Sequence, residues 1–269
     1  MNLINKKYKI MNKIGCGSFG SIYKGINIRT QEEVAIKIES IQSQLKLLKN
    51  ESTIYQFLTN NKGIPQVKWF GRDETNYYMV IELLGNSLQR IKETSNTFSL
   101  NLTMQIGIQI LLLLKTIHDK GLVHRDIKPD NFLIGVGNNK KYLYIIDFGF
   151  CKTVSNDNTK RVNSLIGSLT YASINAHNFI EQSYRDDLES LGYMLLYFLV
   201  GNLDWQDDIL EDIHFDEKNR LVCAMKEATC RKKETPSIIV SYLEKIRILG
   251  FNQTPDYNEL IELFKREIK

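Results

Sequence analysis

The sequence predicts an α+β protein of two parts, a small β-rich first part over about residues 1–85 and a larger, mostly helical part over about 86–269. Three observations carry that expectation. β-branched and aromatic residues alternate in short runs up to Gly85, apolar residues recur every three or four positions beyond it, and no long linker or internal repeat separates the two patterns. A chain of 269 residues forms one large domain or one two-part unit.

The elements follow in order. Tyr8–Ile14, Ser21–Ile28 and Glu33–Ile38 alternate as strands, the first two joined through Gly15-Cys16-Gly17-Ser18-Phe19-Gly20. Gln44–Leu58 changes to helical spacing, with Leu45, Leu48, Ile54 and Leu58 on one face, and Gly63-Ile64-Pro65 ends it. Val67–Phe70 and Tyr77–Leu83 read as two more strands. Leu102, Ile106, Ile110, Leu113 and Ile117 mark a long helix that Gly121 stops. Short strands are expected near Phe132–Ile134 and Leu143–Ile146, a polar loop from about Thr153 to Ser168, and helices at about 186–200, 237–248 and 256–268.

Composition narrows the function classes. Hydrophobic residues at 43% and charged residues at 25% are globular values and exclude wholesale disorder. A net charge of +4 is too small to imply nucleic-acid binding, and the aromatic residues are not interleaved with basic ones as a base-stacking platform requires. Cys16, Cys151, Cys223 and Cys230 have no metal-ligand spacing, nor do His118, His124, His177 and His214; reduced thiols in the cytosol or nucleus are expected. The first residues lack the apolar core of a signal peptide. The longest apolar run, Leu191–Val200, is about half of the ~20 residues a membrane crossing needs, and reads as a buried helix.

The chemistry-bearing residues come in a fixed order. Gly15-x-Gly17-x-x-Gly20 precedes a strand pattern, which disfavours a dinucleotide-binding turn, and it lacks the Gly-Lys-Ser/Thr end of a Walker loop. What remains is a glycine flap over phosphates or a plain hairpin turn, and the motif alone does not choose. Lys37 closes the apolar run Val34-Ala35-Ile36, where burial demands a partner such as Glu51; a solvated lysine is the commoner outcome. His124-Arg125-Asp126-Ile127-Lys128-Pro129-Asp130-Asn131 is more specific. It places a carboxylate, an ammonium and a carboxamide at short intervals between an apolar helix and an apolar strand, the set that phosphoryl transfer uses to orient a hydroxyl, balance charge and ligate Mg²⁺. Asp147-Phe148-Gly149 follows the apolar Tyr144-Ile145-Ile146, and a carboxylate at a strand's end suits Mg²⁺. Either motif alone reads as a charged surface loop; their joint occurrence in this order points to phosphoryl transfer.

These residues resemble the protein-kinase signature set over nearly the whole chain. The resemblance narrows to the casein kinase 1 family, which lacks the usual Ala-Pro-Glu and carries Ser-Ile-Asn instead, here Ser173-Ile174-Asn175. Tyr184-Arg185-Asp186-Asp187-Leu188-Glu189-Ser190, Leu83-Leu84-Gly85-Asn86-Ser87-Leu88 and Thr254-Pro255-Asp256-Tyr257 also fit. The resemblance implies a Ser/Thr protein kinase with ATP and Mg²⁺ as cofactors and proteins as substrates. By it, Asp126 would orient or deprotonate the hydroxyl, Lys128 would stabilise the transferred group, and Asn131 and Asp147 would hold Mg²⁺. Lys37, paired with Glu51, would bind the α- and β-phosphates. Gly15, Gly17, Ser18 and Gly20 would cover them. Ile14, Ile22, Ala35 and Leu133 would sandwich adenine, with Ile81 as gatekeeper and the backbones of Glu82 and Leu84 at its edge. Asp187 would brace the catalytic loop.

The family also prefers primed substrates through a basic anion pocket. Arg125 and Lys152 match that pocket, whereas Thr170 and Asn163 stand where basic residues are expected, with Arg161 close by. Five acids between Leu203 and Asp212 replace a basic cluster that serves nuclear import. A weakened preference for primed substrates is therefore expected, with constitutive activity, a monomeric state, no direct nucleic-acid or membrane binding, and a cytoplasmic or nuclear location or both. Cys16 and Cys151 read either as thiols open to alkylation near nucleotide or as ordinary small residues with unshifted thiols, the blander reading being preferred. A pseudokinase scaffold is the rival function. A small-molecule kinase on a related fold is a third reading without a dedicated sequence feature.

Overall fold

The computed structural model describes residues 3–17, 20–155, 160–206 and 213–268. The chain divides into two compact units: Met1–Asn86 with Leu133–Gly149, and Ser87–Phe132 with Phe150–Lys269.

In the first unit five strands, β1 (Tyr8–Gly17), β2 (Gly20–Asn27), β3 (Glu33–Ser40), β4 (Val67–Arg72) and β5 (Asn76–Glu82), form an antiparallel sheet in the order β1-β2-β3-β5-β4. Alternation sorts its residues onto two faces. Val34, Ile36 and Val80 join Tyr8 in a buried cluster, so Ala35 and Lys37 point to the other side. Helix α1 (Leu47–Phe57) begins three residues later than the apolar pattern suggests. Its first backbone N–H groups, of Leu47 and Leu48, donate to the Glu39 carboxylate at 3.1 and 3.3 Å. That cap comes from β3 rather than from the local sequence.

The segment Leu133–Gly149 returns to this unit although the sequence patterns change near Gly85. Backbone bonds bind it there: Gly85 N–H to the Ile134 carbonyl at 2.8 Å, and Ile145 N–H to the Gly63 carbonyl at 2.9 Å. Strands β7 (Phe132–Ile134) and β8 (Leu143–Ile145) pair with each other.

The second unit is helical. Its spine is α3 (Leu100–His118), capped by the Ser99 hydroxyl, which accepts from the Leu102 N–H at 3.2 Å. This helix is long and apolar enough to cross a membrane, but half of it is buried within the unit, as a core helix is. It packs against α5 (Tyr184–Val200) and α8 (Tyr257–Lys265), and α5 also meets α7 (Ser237–Arg247). The short helices α2 (Leu88–Lys92) and α4 (Ile174–His177) and the two-residue strands β6 (Leu122–Val123) and β9 (Lys152–Thr153), which pair with each other, complete it with α6 (Phe215–Ala228).

Helix α6 was not expected, because its buried face is polar: Asn219, Val222 and Lys226 point inward. Lys226 is fully buried and donates to the carbonyls of Leu169 and Ala172, both at 2.8 Å, and to His177 Nε2 at 2.9 Å. The His177 ring is therefore an acceptor at Nε2 and a donor at Nδ1, where Asn219 Oδ1 lies at 2.6 Å. Burial, reinforced by the Lys226 charge, pushes His177 down to about 3. Below pH 6.5 the unfolded chain takes up a proton that the folded ring refuses, so this stabilisation is complete above pH 6.5 and is lost as pH falls toward 3. Unfolding free energies measured against pH should fall across that window, by up to about 1.4 kcal/mol per unit from this group. The His177→Gln variant should show a flatter profile; a profile as steep as wild type would remove His177 as the cause.

Candidate active-site residues

The first unit assembles a charge cluster on the sheet face opposite its apolar core. Lys37 Nζ lies 2.7 Å from Glu51 Oε2 and 2.9 Å from Asp147 Oδ1. Burial alone would lower the Lys37 pKa; the Glu51 and Asp147 carboxylates outweigh it and raise it above the ordinary lysine value. The ammonium is therefore charged and bridges helix α1 to the end of the returning segment. Asp147 holds a left-handed backbone, φ 67°, and donates its N–H to the Tyr55 hydroxyl at 3.3 Å. Phe148 packs edge-on against the Tyr55 ring at 4.9 Å, so α1 fastens both residues.

Cross-strand register places further expected residues on the Lys37 face. Ile22 is opposite Lys37, and Ala35 is opposite Ile81. Ala35 is buried, Ile22, Ile81, Glu82, Leu84 and Leu133 are half-buried, and Ile14 is exposed. Glu82 gives its N–H to the Gln66 carbonyl at 3.0 Å. Gly15, Gly17 and Gly20 lie on the β1–β2 hairpin, where Gly17 pairs with Gly20 and a strand follows directly. Ser18 lies outside the described residues, as does the side chain of Cys16. A Cβ on Gly20 would lie 2.2 Å from the Ile38 carbonyl oxygen, so close backbone approach requires glycine there.

The second unit holds Asp126, Lys128 and Asn131 together. Asp126 Oδ2 accepts from Lys128 Nζ at 2.8 Å and from Asn131 Nδ2 at 3.2 Å, and Asn131 Nδ2 also reaches the Asp126 carbonyl at 2.7 Å. Asp126 Oδ1 accepts the Ser168 N–H at 3.1 Å. This approach runs through Gly167, φ 101°, where a Cβ would lie 2.6 Å from the Arg125 carbonyl oxygen. Beneath the loop, buried Asp187 accepts from the backbone N–H groups of His124 at 2.7 Å and Arg125 at 2.8 Å, and contacts His118 Nε2 at 2.9 Å. Burial would raise the Asp187 pKa, but these partners outweigh it and hold it below the ordinary carboxylate value.

A carboxylate held between an ammonium and a carboxamide can orient a hydroxyl and balance charge, as phosphoryl transfer requires. A family model described as the protein kinase domain matches residues 8–263. The chain belongs to the protein kinase family. The fold agrees: an antiparallel sheet in the N-terminal region and helices in the C-terminal region, the α+β plan of a kinase domain.

Several features of the kinase domain were less legible beforehand. The expected anion-pocket residues Arg125 and Lys152 both face Glu181, at 3.6 and 3.1 Å, and Lys160 approaches the same carboxylate at 4.0 Å. Arg161 instead donates to the Asn178 carbonyl at 3.3 Å. Asn163 is exposed, and Thr170 is buried with its carbonyl accepting from Trp205 Nε1 at 2.9 Å. Of the acids after Leu203, Asp204 pairs with Lys232, and residues 207–212 lie outside the described residues. Ser173 and Asn175 owe their places to Asp186 Oδ1, which accepts from both, at 2.6 and 3.0 Å. Cys151 is buried, and burial pushes its thiol up to about 12, which corrects the expectation of an unshifted thiol and disfavours a reactive one. Sequence reasoning missed Glu181, Lys160 and Lys226. The signals for these were an acid just before the Gln182-Ser183 turn into α5 and basic residues with no apolar pattern around them, and neither stands out without the fold.

The glycines of the hairpin differ in what they tolerate. A Cβ on Gly15 would meet only Ile22, at an ordinary 3.7 Å. Gly20→Ala should therefore destabilise by about 1–3 kcal/mol, and Gly15→Ala by no more than about 0.5 kcal/mol. Thermal unfolding of the two variants checks this, and equal losses would contradict it.

Proposed function

We propose that the chain is an ATP- and Mg²⁺-dependent protein kinase acting on Ser/Thr, similar to the casein kinase 1 family and active without phosphorylation. The observation that carries this reading is the Asp126 carboxylate, fixed by Lys128, Asn131 and the Ser168 N–H. A carboxylate so held can accept the proton of an incoming hydroxyl, and Lys128 beside it can balance charge on the moving phosphoryl group. Lys128, two residues after Asp126, follows the Ser/Thr pattern. Lys37, kept charged by Glu51 and Asp147, suits the α- and β-phosphates.

The donor set fits Mg²⁺. Among the described residues no group of three or more His, Cys, Asp and Glu is placed to hold a metal, and Mg²⁺ takes only one or two protein oxygens beside water and phosphates. Asp147 offers a carboxylate oxygen. Asn131 uses its Nδ2 on Asp126, leaving the amide oxygen as its acceptor. Mg²⁺, when bound, would neutralise phosphate charge. The pairing of Arg125 and Lys152 with Glu181 supports weak demand for primed substrates.

Transfer from radiolabelled ATP to casein and to matched primed and unprimed peptides tests the proposal. Asp126→Asn should lower kcat by roughly 10²–10⁴-fold, and Lys37→Met should reduce incorporation to background, while both variants remain folded. Wild-type protein that binds ATP but transfers nothing would favour a pseudokinase scaffold. A strong preference for the primed peptide would overturn the specificity part alone.

A further inference from the structure

Glu181 sits between α4 and α5 and is 2% exposed. Its Oε1 faces Lys152 and Arg125, whereas its Oε2 is buried with no hydrogen-bond partner and lies 4.0 Å from Lys160 Nζ. Three cations from separate segments thus surround one carboxylate: Arg125 of the catalytic loop, Lys152 of β9, and Lys160 of the segment that follows. The backbone joins the same segments, with Glu181 N–H donating to the Lys160 carbonyl at 3.0 Å and Val162 N–H to the Phe179 carbonyl at 2.9 Å.

The three cations need this anion unequally. Lys152 and Lys160 are 39% and 50% exposed and keep water around them, but the Arg125 side chain is only 12% exposed. Its Nε donates to the Phe150 carbonyl at 2.7 Å, which locks the guanidinium in place next to Asp126 in the chain. A buried guanidinium facing a buried carboxylate is compensated by it, and removing Glu181 takes that carboxylate away from the guanidinium that water reaches least. Where arginines of a kinase catalytic loop are held by an added phosphate, the phosphate supplies this same anion.

We infer that Glu181 is a built-in counter-anion and a positioning residue for phosphoryl transfer. It fixes Arg125, and through it the loop bearing Asp126, so that neither a phosphate on the chain nor one on the substrate is needed. The inference rests on the kinase reading above and concerns how that activity is set. A carboxylate brings one charge to three cations, so its removal leaves a basic pocket of the right sign for a free phosphate ion.

The experiment compares wild type with Glu181→Gln, which keeps shape, Glu181→Ala, which opens space, and Glu181→Asp, which keeps charge. Kinetics on an unprimed peptide and thermal unfolding are each measured with and without inorganic phosphate at matched ionic strength. The Gln and Ala variants should lose about tenfold or more in kcat, with the KM for ATP within about twofold of wild type. The Asp variant should recover most of that loss. Phosphate should raise kcat of the Ala variant and lift its Tm by about 3 °C at saturating levels, leaving wild type unmoved. Wild-type kcat in the Gln and Ala variants would overturn the inference. So would a folded, inactive Ala variant that phosphate neither activates nor stabilises. If Glu181→Ala does not fold, the Gln variant carries both measurements. Should wild type transfer no phosphoryl group, the kinase reading fails by itself. The Tm comparison then still decides: phosphate stabilising the variant alone supports the counter-anion, and an equal response in wild type overturns it.

Discussion

The second unit depends on one buried carboxylate. Asp187 has almost no contact with water, and a bare charge there would be costly. Its oxygens instead accept two consecutive backbone N–H groups, of His124 and Arg125, and face the His118 ring. Those bonds hold Arg125 in a left-handed conformation, φ 68°, that a non-glycine residue avoids when unsupported. Because Arg125 turns there, the next residue presents its carboxylate to Lys128, Asn131 and Ser168. The His118 ring is itself held by the Tyr257 hydroxyl, so α3, α5 and α8 all converge on the base of one loop.

The first unit solves a comparable problem with the opposite charge. Lys37 is placed by β-sheet parity on the face away from Val34 and Ile36, where apolar packing does not compensate an ammonium. Glu51 and Asp147 do so. Such a pair adds little to net stability against an apolar substitute, because both partners give up hydration. What it supplies is position: an ammonium with few alternatives, on a strand, next to a helix that also secures Asp147 through Tyr55.

Elements that announce themselves by period were readable beforehand: the five strands of the sheet, the α3 spine, and α5, α7 and α8. The residues of the candidate site were readable because their order along the chain is so particular. What was hidden is non-local. The start of α1 is fixed by Glu39 on another element, so no local cap marks Leu47. Helix α6 buries an amide and an ammonium, which leaves no apolar stripe to detect. Strands β6 and β9 have two residues each, too few to show alternation. Glu181 meets Lys152 across 29 positions of sequence, and nothing near either residue signals the other.

The bond from Arg125 to Asp187 spans 62 positions. During synthesis the loop around Asp126 leaves the ribosome well before the helix that holds it. At about 5–20 residues per second, the interval is roughly 3–12 s. Through that time Arg125 has no acceptor to keep it in its left-handed state, and the loop has no fixed form. The segment that carries the candidate site is thus assembled retroactively in the nascent chain, by a helix made after it. An unfinished chain that stops before α5 can carry every residue of the loop and still lack its shape.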